Sequence, residues 1–191
     1  MIKPICPSCK QVTKPLENEA VLRCENILCP AQIKERIQHF CSKLAMNIDG
    51  LGEKIVNQLV DKEIVKSFDQ IYTLSKDQLV DLEKFGEKSA ENLLNAIENS
   101  KSPSLSRFVY SLGIRNVGEH TSKVLVNYFN NDLDKLIGAD FDTLIAIDEI
   151  GPTVANSIIN FWSEDINNIV VKNCLNRGIK FKVNDINFSP K

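Results

Sequence analysis

The stretch Ile48-Asp49-Gly50-Leu51-Gly52 recurs three more times in this chain of 191 residues, and the recurrence decides the fold. Each copy ends on a glycine that follows an apolar residue, and a second apolar residue stands four positions before that glycine. The later copies are Leu82-Glu83-Lys84-Phe85-Gly86, Ile114-Arg115-Asn116-Val117-Gly118 and Ile147-Asp148-Glu149-Ile150-Gly151. The closing glycines are 34, 32 and 33 residues apart, so one unit of nearly constant length is repeated.

The closing glycine of each copy is expected to form a tight turn between two helices. Glycine has no Cβ, so it tolerates a positive φ and lets another backbone approach closely. The residues after it are expected to open a helix, whose first N–H groups and positive dipole end attract an anion such as phosphate. This pattern is the signature of the helix-hairpin-helix motif, which binds nucleic-acid backbone without reading bases. The alternative is an all-α domain in which the glycine turns only pack helices together.

Four cysteines near the N-terminus form two closely spaced pairs, Cys6 with Cys9 and Cys24 with Cys29. Each pair offers two thiolates from one tight turn, and the intervening loop can close a tetrahedral cage around Zn²⁺. Zinc held by four sulfurs has no open coordination position and no redox activity, so the ion would be structural. Reduced free thiols or a different metal are the alternatives.

The charge and the apolar content of the chain argue against some classes of function. The net charge is −2 and the chain contains no run of 18 apolar residues, so we expect neither a membrane protein nor nucleic-acid binding over the whole surface. The first residues lack the long apolar core of a signal peptide, which makes the cytoplasm the expected location. Residues 126–165 carry Lys135 against eight carboxylates, so the fourth copy is the least favourable place for a nucleic-acid contact.

The expected fold is mainly α: a small four-cysteine zinc finger followed by four tandem helix-hairpin-helix motifs arranged as two pairs. The zinc finger is assigned to residues 1–30, the helix-hairpin-helix domain to residues 31–185 and a linker tail to residues 186–191. The hairpins lie near 48–52, 82–86, 114–118 and 147–151. The Ser- and Pro-rich break at 100–104 falls midway through the copies and separates the two pairs.

Local patterns predict individual elements. A short strand is expected at 20–23 and another at 179–183, and Pro30 is expected to open the first helix. The apolar face of that helix is predicted to comprise Ile33, Ile37, Phe40, Cys41 and Leu44. His39 lies off this stripe and is expected at the surface or facing DNA. Helix N-caps are predicted at Ser67, Ser75, Asp132 and Asp140.

The order of these features resembles the zinc-finger and helix-hairpin-helix region of bacterial NAD-dependent DNA ligases. The resemblance rests on knuckles of the form C-x2-C and C-x4-C-P, on the helix that follows, and on four hairpins, and it covers about residues 4–183. One of these hairpins reads Gly113-Ile114-Arg115-Asn116-Val117-Gly118-Glu119. The resemblance implies that the chain grips the backbone of double-stranded or nicked DNA in the minor groove. It also implies that the four N-terminal cysteines are zinc ligands.

Catalysis is not expected from this chain. In the ligase family the lysine of a K-x-D-G motif is adenylated by NAD, and the AMP then passes to the 5′-phosphate of a nick. The only Asp-Gly here is Asp49-Gly50, and Asn47 stands at the position of the lysine. We therefore expect no catalytic residue and a use for NAD only through the adenylation, oligonucleotide-binding and BRCT domains that the sequence lacks. Those remaining ligase domains would be partners, in cis or in trans.

The repeat and the resemblance together predict where DNA is contacted. The contacts are expected at the turns and at the polar side chains beside them: Gly50, Gly52, Lys54, Gly86, Lys88, Arg115, Asn116, Gly118, Lys123 and Gly151. Two other functions stay open, a stand-alone DNA-binding accessory protein and a protein-interaction scaffold. Tight, salt-sensitive binding of duplex DNA would argue against the scaffold.

Overall fold

The computed structural model describes residues 4–15, 22–24, 26 and 28–182. This part contains ten α-helices, one 3₁₀ helix at Phe68–Thr73, and two short strands. The helices are α1 (Pro30–Cys41), α2 (Glu53–Asp61), α3 (Lys76–Val80), α4 (Glu87–Asn99), α5 (Leu105–Ser111), α6 (Glu119–Tyr128), α7 (Leu133–Ile137), α8 (Phe141–Ile145), α9 (Pro152–Ser163) and α10 (Asp165–Asn176). Within the described residues, no helix is long and apolar enough to cross a membrane.

The N-terminal module is built on an antiparallel strand pair. Strand β1 (Lys14–Pro15) pairs with β2 (Leu22–Arg23), and an isolated bridge joins Ile5 to Val12. The predicted strand at 20–23 is thus present at Leu22–Arg23, while residues 20 and 21 and the predicted tail at 186–191 lie outside the described residues. Helix α1 follows the module without a linker, because Cys29 is itself the N-cap of α1.

Four helical hairpins follow in sequence order. They are formed by α1 with α2, α3 with α4, α5 with α6, and α8 with α9, and the helices of each hairpin pack against each other. The apolar faces of these helices supply one continuous core, which includes the fully buried Phe40, Leu93, Phe108 and Ile158. The mainly helical fold with helix-hairpin-helix motifs is therefore confirmed.

Several contacts tie the first two hairpins to the second two. Helix α10 packs on the 3₁₀ helix, where the buried carboxylate of Asp69 accepts hydrogen bonds from Arg177 Nη1 and, at 3.1 Å, from Asn173 Nδ2. The backbone N–H groups of Lys180 and Lys182 donate to the carbonyl oxygens of residues 101 and 103, both at 2.9 Å. These two bonds brace the break at 100–104 along its length.

Three expectations about local structure need correction. Leu44 lies beyond the end of α1 and is 55% exposed, because the helical period that would have buried it stops at Cys41. His39 is half-buried rather than fully at the surface, since its Nε2 lies 2.7 Å from Tyr110 O. Residues 179–182 form no strand, although they make the two backbone hydrogen bonds with the 100–104 segment.

Candidate nucleic-acid interface and metal centre

The second helix of each hairpin begins directly after the closing glycine, which is its N-cap. These N-caps all have φ between −74° and −87° and an extended ψ, and they are Gly52, Gly86, Gly118 and Gly151. Among the described residues, no side chain caps these four helices. Other helices of the chain are capped by the side chains of Ser75, Ser104, Asp132 and Asp140. The four hairpin turns therefore leave open the first N–H groups that side chains satisfy elsewhere.

The closing glycines are not required by the backbone or by internal packing. Every residue type adopts their φ values readily. A Cβ built on any of the four meets no heavy atom of the described structure within 4 Å, apart from the chain neighbours. The expectation that these glycines supply a positive φ is therefore wrong. Instead, these glycines leave empty space beside the open N–H groups, and a bound molecule can occupy that space.

The left-handed backbone conformation falls two residues earlier in each turn. Those positions are Gly50 (φ 93°), Lys84 (φ 58°), Asn116 (φ 61°) and Glu149 (φ 71°). Of these four residues only Gly50 is a glycine, the residue type that adopts this conformation most easily. At Gly50 a Cβ would also lie 3.5 Å from Leu93 Cδ1, so this glycine serves the packing of the first two hairpins as well.

Lysines stand beside the first two turns. Lys54 and Lys88 each lie two residues after the closing glycine, in the first turn of α2 and of α4, and both are exposed. Within the part of the chain that the structure describes, neither forms an ion pair. Lys84 adds an exposed cation at the left-handed position of the second turn. These ammonium groups are therefore available to an anion held at the open N–H groups.

The third turn has polar side chains beside it, but two of them already form hydrogen bonds within the protein. Arg115 and Asn116 are exposed beside Gly118, and Asn116 Nδ2 donates to Ser157 Oγ of α9 at 3.0 Å. Lys123 lies one turn into α6, where its Nζ is 2.8 Å from the carboxylate of the first residue of that helix, Glu119. This hydrogen bond and the ammonium charge hold the pKa of Glu119 below its ordinary value. Lys123 is thus already shared with a carboxylate, unlike the lysines of the first two turns.

The fourth turn carries no cation at the matching positions. Thr153 stands where the first two hairpins have lysine, and the left-handed position is Glu149. The carboxylate of Glu149 points back to the third hairpin, where its Oε2 lies 2.6 Å from His120 Nε2. Pro152 is the first residue of α9, so this turn also lacks one of the N–H donors that the other three offer. The charges of this turn are thus less favourable to an anion than those of the first two, although its conformation is the same; its contact with DNA stays a prediction.

The first residue of the second helix is glutamate in three of the hairpins, namely Glu53, Glu87 and Glu119. A carboxylate there complements the positive end of the helix dipole but repels a phosphate. In the second hairpin this repulsion is reduced by Lys76, whose Nζ lies 3.6 Å from Glu87 Oε2 and 2.7 Å from Glu91 Oε1. The hydrogen bond to Glu91 is the main reason that the pKa of Lys76 is raised.

Side-chain hydrogen bonds fix the turns relative to one another. Gln58 of α2 holds the second turn, accepting from Glu83 N at 2.8 Å and donating to Glu83 O at 3.3 Å. Arg107 of α5 holds the segment that leads into the first turn, with Nε donating to Ala45 O at 2.8 Å and Nη2 donating to Lys43 O. The sequence did not reveal these residues as positioning groups, because their partners lie 25 to 64 residues away.

The four N-terminal cysteines converge on one point. All four Sγ atoms lie within 4.8 Å of one another, with Cys6 to Cys29 at 3.8 Å and Cys9 to Cys24 at 3.4 Å. Zn–S bonds of about 2.3 Å in a tetrahedron give S–S edges of about 3.8 Å, so the donor set fits such an ion in number, type and spacing. The predicted cluster is therefore present and can hold a metal ion.

The surroundings of the cluster lower the pKa of two of the thiols and raise the pKa of a third. Hydrogen bonds from Asn26 and Gln11 lower the pKa of Cys9 to about 6. Burial raises the pKa of Cys29, but N–H groups at the start of α1 outweigh it and leave that pKa lowered. The backbone of Asn26 lowers the pKa of Cys24, yet burial and the neighbouring sulfurs raise it to about 12. A cation among the sulfurs would relieve this mutual repulsion.

Two family models match the helical part. Residues 42–99 match the model described as SAM-like helix-hairpin-helix tandem, and residues 107–171 match the model described as helix-hairpin-helix motif. The two matches lie on either side of the break at 100–104, where the sequence pattern placed the boundary between the pairs.

Curated proteins named DNA ligase match nearly the whole chain. The ligase of Marinomonas sp. (strain MWYL1) is 45% identical over 177 residues, which is 91% of this chain and 26% of that protein. The ligase of Geobacter sulfurreducens is 44% identical over 94% of this chain and 27% of its own length. That of Bacillus cereus (strain B4264) is 47% identical over 84% and 24%, respectively.

These matches confirm the resemblance and give its extent. The chain spans about a quarter of the length of the curated relatives that it matches. The chain is mainly α-helical and contains helix-hairpin-helix motifs, and its sequence is similar to one region of proteins named DNA ligase.

Proposed function

We propose that this chain binds the sugar-phosphate backbone of duplex or nicked DNA without reading base sequence, as the zinc-finger and helix-hairpin-helix portion of an NAD-dependent DNA ligase. The observation that carries the proposal is the fourfold open N-cap. Four helices begin on a glycine that needs no positive φ, faces open space and leaves N–H groups unpaired by side chains. Space and donors of this kind suit a phosphate oxygen approaching a backbone closely.

The charges at these turns favour stronger phosphate binding at the first two hairpins than at the fourth. The first and second turns carry Lys54 and Lys88, which have no ion pair within the described residues, whereas the fourth carries Glu149. Backbone N–H groups and ammonium groups contact phosphate rather than base edges, so binding would be independent of sequence and sensitive to salt. The similarity to DNA ligases supports DNA, over other polyanions, as the ligand.

The cysteine cluster has a structural role in this proposal. Zn²⁺ bound by Cys6, Cys9, Cys24 and Cys29 would supply the folding free energy of a module too small to bury much core. Because Cys29 also caps α1, the ion would fix the start of the first hairpin. Nick sealing would need the other ligase domains as partners in the cytoplasm, since Asn47 stands in place of the lysine that accepts AMP.

The test is a pair of matched glycine substitutions, Gly86→Ala and Gly151→Ala. Both glycines have φ of −87° and the same open surroundings, so either methyl group is accommodated in the free protein. We expect Gly86→Ala to weaken duplex binding by about tenfold or more, because the methyl group blocks a charge-assisted hydrogen bond to phosphate. Gly151→Ala should change binding far less. Fluorescence anisotropy with labelled duplexes of two unrelated sequences measures both.

The outcomes separate the proposed function from the scaffold alternative. Thermal unfolding should show both variants folded and within about 1 kcal/mol of the parent, since loss of an N-cap glycine and reduced freedom of the unfolded chain partly offset each other. A parent protein that fails to bind duplex DNA at low salt would rule out the proposal. Equal, undiminished binding by both variants would rule out the turns as the contact.

A further inference from the structure

The side chains of His120 and Glu149 join the third hairpin to the fourth at their exposed ends. Glu149 Oε2 of the fourth turn lies 2.6 Å from His120 Nε2 in the first turn of α6, and their side chains are 62% and 73% exposed, respectively. An exposed pair of this kind contributes little to stability. Its position in the repeat is what gives it meaning.

His120 occupies the place in the third hairpin that Lys54 and Lys88 occupy in the first and second. Each of these residues lies two positions after a closing glycine, beside open N–H groups. His120 is therefore placed, like those lysines, to reach a phosphate at the turn of its own hairpin. In the structure, its ring nitrogen is already in contact with a carboxylate oxygen.

Glu149 reaches His120 because of its own place in the fourth turn. It occupies the left-handed position, with φ 71°, which the first hairpin fills with the side-chain-free Gly50. A non-glycine residue in this region is held there by its surroundings, here by the turn bond from the N–H of residue 150 to the carbonyl oxygen of residue 147 at 3.1 Å. In the third hairpin the equivalent Asn116 side chain is likewise directed across the pair, to Ser157.

We propose that the carboxylate of Glu149 is a built-in competitor for the phosphate of the third hairpin, which DNA must displace from His120. The inference rests on the proposed function. It assigns Glu149 an action on the neighbouring hairpin rather than on its own. The neighbouring carboxylate of Glu119 is not a second competitor of this kind, because it is engaged by Lys123 at 2.8 Å. The fourth hairpin has the uncharged Thr153 at the position that matches His120.

A double-mutant cycle tests the inference, using Glu149→Gln, His120→Gln and the two together. Glu149→Gln keeps the size of the side chain and removes its charge, so we expect duplex binding to tighten by about 1.5- to 5-fold, the range of an exposed ion pair. In the His120→Gln background the same change should have almost no effect, because the side chain for which the carboxylate competes is gone.

Asp148→Asn is the matched control, since it removes the same charge from the adjacent exposed position. It should tighten binding less than Glu149→Gln. Equal effects of the two, no effect of Glu149→Gln, or an effect that persists without His120 would each overturn the inference while leaving the proposed function intact. Failure of the parent protein to bind duplex DNA would instead overturn both.

Discussion

The first and second pairs of hairpins have nearly the same backbone and very different side chains. Their four N-caps agree in φ to within the range −74° to −87°, and all four glycines face open space. Beside them the first pair places the exposed Lys54, Lys84 and Lys88, whereas the second pair places the contact between His120 and Glu149. The comparison teaches that the turn geometry is a common frame, while the electrostatics that would make it a phosphate site are set separately in each copy.

Loss of the metal should give the largest effect on stability, and that effect should fall on the N-terminal module, which adjoins the first pair of hairpins. Cys24→Ser removes one of the four sulfurs that meet within 4.8 Å. Apparent metal-binding energies at such sites reach about 10 kcal/mol, so the N-terminal module is expected to unfold. Among the described residues, the hydrophobic core of the four hairpins contains no residue of that module, so the helices should remain largely folded.

Metal analysis and hydrogen exchange measure this outcome. The parent should contain about one zinc ion per chain. Protection in the variant should fall in the module and at the start of α1, where Cys29 is the N-cap. A parent without bound metal, or a variant whose second pair unfolds together with the module, would contradict the prediction.

Cutting the tie between the pairs should give the next largest effect. Asp69 is buried beneath α10 and receives hydrogen bonds from Arg177 and Asn173. Arg177→Ala leaves that carboxylate without its cation, and we expect a loss of up to about 3 kcal/mol in the free energy of unfolding. Lys172→Ala is the control, since this residue is exposed on the same helix, and it should stay within about 0.5 kcal/mol of the parent. Urea denaturation checks both; equal effects would show that the buried pair does not hold the two halves together.

Removing the charge of one lysine from the first pair of hairpins should give the smallest of these effects. Lys88→Ala should weaken duplex binding by roughly three- to tenfold and flatten the dependence of log K on log salt by about one unit. Thr153→Ala, at the matching position of the fourth hairpin, should alter neither quantity measurably. Anisotropy titrations at several salt concentrations measure both, and an effect of Thr153→Ala as large as that of Lys88→Ala would abolish the distinction between the pairs.

Sequence patterns predicted the parts of the fold that depend on near neighbours. The predicted N-caps Ser75, Asp132 and Asp140 are confirmed, because each side chain accepts a hydrogen bond from the backbone N–H three residues ahead. Ser67 does precede the 3₁₀ helix, but its hydroxyl donates to the Asp69 side chain and caps no backbone N–H. The convergence of the four cysteines was predictable because each knuckle is local and a single loop joins the two.

What the sequence could not supply depends on contacts between distant residues. His39 was misplaced because its partner, the carbonyl oxygen of residue 110, lies 71 residues away. The contact between Glu149 and His120 spans 29 residues and involves two hairpins whose relative placement no local pattern fixes. Of the two reasons offered for the closing glycines, the structure excludes a positive φ and is consistent with close approach of another molecule, and no local sequence pattern separates the two. The individual DNA contacts, including Lys54 and Arg115, stay predictions.

The two backbone hydrogen bonds that join residues 180 and 182 to the segment at 100–104 have a mechanical consequence. A connection of five residues that was free on both sides would act as a hinge, and the two pairs would then adapt independently to whatever they bind. Because it is held along one edge, the connection resists that rotation, so the distances among the four turns are set by the protein. Under the proposed function, this fixed spacing would make binding depend on the curvature and continuity of the polyanion rather than on its base sequence.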